Sequence, residues 1–146
     1  MNKENLVKRV EEIVEAEGLL LIDSVIRGDN KLRIIEIYID GQDAITTDIC
    51  SGISRLVKDK IEEENIIDSN FRLDVSSPGV DRPLKYLKQY HKHLNRNILF
   101  SYGSEEKDIK SKLTGIEGNI LTFNDGKNEI KVRFEEIKSA KVLISF

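Results

Sequence analysis

Near the N-terminus, apolar residues recur every three or four positions: Leu6, Val7, Val10, Ile13 and Val14 share one stripe. That period predicts a helix over about Lys3 to Glu17, with Gly18 placed to accept a left-handed C-terminal conformation. The pattern then changes. Leu19 to Ile26 is largely apolar and reads as a buried strand, Arg27-Gly28-Asp29-Asn30 as a turn, and Leu32 to Asp40 as the return strand. In that strand Ile35, Ile37 and Ile39 fall on one face, with Glu36, Tyr38 and Asp40 on the other. A second helix begins after Thr46, a good N-cap, with Asp48 in its first turn near the positive end of the dipole. Ile49, Ile53, Leu56, Val57 and Ile61 form its buried stripe. Gly52 costs that helix roughly 1 kcal/mol relative to alanine, which suggests close packing there. Glu62-Glu63-Glu64 sits at the negative end of the dipole and is expected to fray. Phe71, Leu73 and Val75 alternate with Arg72, Asp74 and Ser76 in a third strand. The order α-β-β-α-β predicts a small sheet with two helices on one face.

Beyond Ser76 the period is lost. Ser76-Ser77-Pro78-Gly79 reads as a turn, and Pro83 forces Arg82 into extended backbone. Both prolines of the chain lie here, so residues 77–85 read as a stiff connector between an α/β domain of residues 1–76 and a domain of residues 86–146. Tyr86 to Leu94 suggests a short helix. Short β-like segments follow at Ile98 to Tyr102, Leu113 to Ile116, Ile120 to Phe123, Ile130 to Phe134 and Lys141 to Phe146. Glu117-Gly118-Asn119 and Asn124-Asp125-Gly126 signal tight hairpins, and Phe134 to Ile137 one helical turn. Closely spaced short strands of this kind predict a small five-stranded SH3/Sm-like barrel. The fold class is therefore α+β, in two small domains.

Composition narrows the setting. Charged residues make up 34% and apolar residues 39% of the 146, which suits a folded chain with a modest core. The apolar runs are too short to span a bilayer, the first residues lack the layout of a secretory signal, and the lone Cys50 fits a reducing compartment. A cytoplasmic location is expected. The net charge of −3 is unevenly distributed. Residues 1–83 hold 11 Lys/Arg and 18 Asp/Glu, a net of −7, and residues 84–146 hold 12 and 8, a net of +4. Such a split suits two surfaces with partners of opposite charge, although unequal solvated surfaces produce it too.

Candidate chemistry is sparse. The chain has no G-x-x-x-x-G-K-[ST] loop, no G-x-G-x-x-G and no H-E-x-x-H. Cys50 could pair with His91 or His93 as nucleophile and base, but its place beside a helix's apolar stripe favours a structural thiol. His91-x-His93 could begin a metal site, yet no residues at suitable spacing complete it. Arg27-Gly28-Asp29 reads as a charged turn. Gly115-Ile116-Glu117-Gly118 has the form of a backbone-clamping G-x-x-G, but between two strands it reads as a hairpin. No enzymatic activity, cofactor, metal or small-molecule substrate is expected. Lys85, Lys88, Lys92, Arg96, Lys110, Lys112, Lys131 and Arg133, with Tyr86, Tyr90 and Tyr102 among them, could neutralise phosphates and stack on bases. They could equally be solvated.

One stretch is specific. Phe71-Arg72-Leu73-Asp74-Val75-Ser76-Ser77-Pro78-Gly79-Val80-Asp81-Arg82-Pro83-Leu84-Lys85 resembles the signature of the ribosome maturation factor RimP family, in which L-[ED]-V-S-S-P-G runs into D-R-P-L. Tyr38-Ile39-Asp40 with Ile45 to Cys50 is similar to that family's Y-I-D … G-I-T-x-D-D-C segment. Gln89-Tyr90 and the ending Ile137 to Phe146 also resemble it. Asn95 stands where the family usually has glycine. The resemblance implies an α/β domain followed by an Sm-like barrel. It also implies a monomer that binds the immature small ribosomal subunit, touching rRNA and a basic ribosomal protein of the decoding region. The candidate contacts are Ser77, Asp81, Arg82, Lys85 and Lys88. Arg82, held extended by Pro83, suits phosphate or carboxylate, or else pairs with Asp81 as a local strut. The competing reading is a general Sm-like RNA-binding regulator of messenger or small RNA.

Overall fold

Asn2 opens the first helix, α1 (Lys3–Ala16), its side chain accepting a hydrogen bond from the Asn5 N–H at 3.2 Å. Its far end closes as a Schellman motif. Gly18 has φ 76°, its N–H donates to the Glu15 carbonyl, and the Leu19 N–H donates to the Val14 carbonyl. The second helix, α2 (Thr47–Glu63), is capped by Thr46, whose hydroxyl accepts from the Ile49 N–H at 3.1 Å. The expected fraying at Glu62 to Glu64 does not occur, for two reasons. Asn65 takes a left-handed φ of 50°, so that the Ile66 N–H reaches the Ile61 carbonyl, and Arg9 of α1 pairs with Glu64 at 3.1 Å. The close packing expected at Gly52 is also absent, because a Cβ there would meet nothing within 4 Å.

The structure, a computed structural model, describes residues 1–104 and 107–144. It divides into two units, Met1–Pro78 and Gly79–Phe146. In the first, β1 (Leu20–Gly28), β2 (Arg33–Asp40) and β3 (Phe71–Ser76) form a sheet in that order. The β1–β2 pair is antiparallel and the β2–β3 pair parallel, so α2 is the crossover that parallel neighbours require. Ile35, Ile37 and Ile39 are at most 1% exposed and share one core with Leu6, Val10 and Val14 of α1 and Ile53, Val57 and Ile61 of α2. Both helices therefore cover the same face. A bulge between Leu21 and Asp23 shifts the alternation of β1, placing Leu21 and Ile26 opposite core positions Ile39 and Ile35.

The second unit contains one antiparallel sheet of order β7-β6-β5-β4-β8. Its strands are β4 (Asn97–Tyr102), β5 (Ile109–Glu117), β6 (Ile120–Asn124), β7 (Glu129–Arg133) and β8 (Ile137–Val142). Among the described residues no ladder joins β7 to β8, so the expected barrel closure is not found. β5 is longer than its apolar run because Lys110, Ser111 and Lys112 continue the alternation, with Ser111 buried between two exposed lysines. β8 lies earlier than expected, and residues 145 and 146 of the expected Lys141-to-Phe146 strand fall outside the described residues. Gly118 makes the β5–β6 turn with φ 60°. The β6–β7 loop is wider than a tight hairpin, because the Asp125 carboxylate accepts the Lys127 and Asn128 N–H groups and holds four residues out of the ladder. Phe100 and Phe123 stack at 3.9 Å in a core completed by Ile98, Leu113, Leu121 and Val132. Asn95 adopts φ 69°, and its N–H donates to the Leu113 carbonyl at 2.6 Å. Asparagine tolerates that left-handed conformation, which accounts for its standing where glycine is usual.

Candidate functional site

Residues 77–85 acquire their shape from a few backbone constraints. Gly79 bends the chain with φ 69°, and beyond it Val80 and Leu84 pack against the core of the second unit. The Leu84 N–H donates to the Ala140 carbonyl at 2.8 Å, so this stretch is joined to β8. A 3-10 helix follows at Leu87–His93, where a short helix was expected. Its Tyr90 ring is fully buried and meets Phe134 edge-on at 6.1 Å, anchoring the helix to the core.

Gln89 organises this corner. It is 1% exposed, and its side-chain oxygen accepts both the Lys85 N–H at 2.7 Å and the Tyr86 N–H at 2.8 Å. One acceptor thereby serves two amides just ahead of the helix. In the sequence Gln89 stands out only through the Gln89-Tyr90 likeness, and a polar residue beside a buried tyrosine is the signal it offers.

Among the candidate contacts, Ser77 belongs to the first unit, whereas Asp81, Arg82, Lys85 and Lys88 belong to the second. Ser77, Asp81, Lys85 and Lys88 are exposed, and Arg82 is half-buried and engaged in an interaction of its own. The Lys85 ammonium stands 5.4 Å from the centroid of the Tyr86 ring, within cation–π range. Lys88 within the 3-10 helix and Arg96 beyond its end add exposed charge. His93 contributes none near neutrality: burial, reinforced by Lys92 and Arg96, holds its pKa down to about 4. Burial also lowers the pKa of Lys92 from the ordinary lysine range. Exposed cations on a rigid, capped segment can bind an anionic surface, and nothing in the segment resembles a catalytic pair.

Cys50 lies half-buried on α2, in an open groove against β3 lined by Ser54, Leu73 and Val75, and burial raises its thiol pKa. Such a thiol is a weak nucleophile at neutral pH. Among the described residues no three His, Cys, Asp or Glu side chains come together as a metal-binding group. No helix among them is long and apolar enough to cross a membrane.

Residues 9–81, half of the chain, match the family model described as the RimP N-terminal domain. The match runs from within α1 through α2 and β3, and ends as the Asp81-Arg82-Pro83-Leu84 stretch begins.

Proposed function

The chain belongs to the RimP family of ribosome maturation factors, not a known enzyme family, and from that premise we propose that it binds the immature small ribosomal subunit and assists its late assembly. The observation that carries this reading is the match over residues 9–81, which reaches into the Pro-containing connector. In this reading residues 77–85 are a stiff connector between an α/β domain and an Sm-like domain, and the protein acts as a cytoplasmic monomer without a cofactor. The charge split supports a division of labour. The half with net charge −7 meets a basic ribosomal protein of the decoding region, and the half with net charge +4 meets rRNA.

Sedimentation tests the reading directly. The protein should travel with free small subunits, and cells lacking it should accumulate immature ones. If it stays at the top of the gradient in the presence of immature small subunits, the reading fails. Within it, Arg82→Ala separates contact from strut. A contact leaves the melting temperature almost unchanged and weakens subunit binding, whereas a strut melts early.

A further inference from the structure

The five-stranded sheet has a core face and an outer face, and the outer face gathers lysines that are distant in sequence. The register places Lys141, Leu99 and Lys110 side by side across β8, β4 and β5. Lys112 lies in the next row beside Asn97, and Lys131 of β7 is paired with Thr122 of β6. Lys110 and Lys112 are about 7 Å apart along one strand, and Lys141 is about 10 Å from Lys110 across two strand spacings. All four lysines are exposed, and among the described residues none of them pairs with a carboxylate. Arg133 shares the face but is held by Glu136 at 3.2 Å. The opposing charges, Glu117 and Glu129, lie at strand ends. An open groove of about 550 Å³ runs beside Lys110 and Lys112, with Thr114 and Asn124 on its walls. Asp125 lines it too, but its carboxylate is turned into its own loop, accepting the N–H groups of Lys127 and Asn128.

What the face lacks is equally informative. The sheet's rings lie on the core side, where Phe100 stacks on Phe123 and touches Tyr102. Among the described residues the paired rows of the outer face present lysine, arginine, serine, threonine, asparagine, leucine and isoleucine, with Glu117 and Glu129 at the strand ends, but no aromatic platform. Single-stranded RNA is held largely by stacking unpaired bases on aromatic rings. A duplex has its bases already stacked and presents phosphates and 2′-hydroxyls outward, which lysines and small polar side chains can meet. We infer that this outer face docks the phosphate backbone of base-paired RNA. The inference deepens the assembly reading by naming a surface and the RNA form it takes.

The test uses the full chain and a triple variant, Lys110→Gln, Lys112→Gln and Lys141→Gln. Fluorescence anisotropy would follow binding to a 20-base-pair RNA duplex, to an unstructured single strand of the same length, and to polyglutamate. The wild type should prefer the duplex. The variant should keep its melting temperature, lose roughly tenfold or more in duplex affinity at low salt, and show a log–log salt slope shallower by about 2 to 3. Equal duplex affinity in the two proteins overturns the inference, as does a wild type that prefers the single strand. A comparable loss of polyglutamate binding also overturns it, in favour of an acidic protein partner. A wild type that binds the duplex but never travels with small subunits overturns the assembly reading and leaves this face standing. A variant that binds both like the wild type does the reverse.

Discussion

Gln89 provides the sharpest test of how the backbone at Lys85 and Tyr86 is held. Its side-chain oxygen accepts two backbone N–H groups at 2.7 and 2.8 Å, and the residue is 1% exposed. Gln89→Leu keeps most of the volume and removes the one oxygen that accepts both bonds. A net contribution of about 1 kcal/mol per hydrogen bond sets the loss at about 2 kcal/mol. Lys85 and Tyr86 are themselves at the surface, so water recovers part of that, and about 1–2 kcal/mol is expected. Gln89→Ala also removes one buried methylene and leaves the carboxamide's space empty, adding at least roughly 0.8 kcal/mol at about 0.8 per buried CH₂. For a domain this small each kcal/mol lowers the melting temperature by about 4–8 °C. Urea denaturation of both variants, read by a probe in the second unit, measures the two steps separately. Amide hydrogen exchange at Lys85 and Tyr86 should quicken in both. The reasoning fails if Gln89→Leu matches the wild type in stability and exchange, or if the two variants lose the same amount.

Three further outcomes are expected. Gly52→Ala should stabilise the first unit by about 1 kcal/mol, since its Cβ enters open space in a helix interior, whereas Gly28→Ala should destabilise it by at least about 1–2 kcal/mol because φ is 92° and the new methyl runs into the Leu32 carbonyl; shifts of the same sign in denaturant midpoint would contradict this. The folded pKa of His93 lies below its unfolded value, so the unfolded chain binds more protons between about pH 4 and 6.5. Stability should therefore be level above pH 6.5 and fall by about 1–2 kcal/mol toward pH 4, after a discount for partial exposure, and His93→Gln should flatten that slope. The Cys50 thiol, its pKa raised by burial, should react with a disulfide reagent at pH 7 more slowly than free cysteine, and Cys50→Ser should leave subunit binding unchanged; a fast reaction or lost binding would point to thiol chemistry.

Local rules were enough for most elements of the first unit. Thr46 and Gly18 cap and terminate helices because their chemistry acts on neighbouring amides and dihedrals, and Ile35, Ile37 and Ile39 reveal a one-sided strand through period alone. The family signature from Phe71 to Lys85 was likewise legible, since it is contiguous. Local dipole reasoning predicts fraying at Glu62 to Glu64 because it does not see the Asn65 turn or the pair of Arg9 with Glu64, which joins positions far apart in the chain. The sequence predicts too short a β5 because exposed lysines at 110 and 112 look like loop until β4 and β6 pair with them. Strand order, the parallel β2–β3 pair and the bulge at Leu21/Asp23 arise from long-range pairing, which leaves no mark on local periodicity. The same holds for the candidate surfaces. Composition showed a basic C-terminal half, but only the register set Lys141 beside Leu99 and Lys110, and only packing turned Gln89 inward onto two amides. Charge is a property of residues; a charged face is a property of the sheet that aligns them.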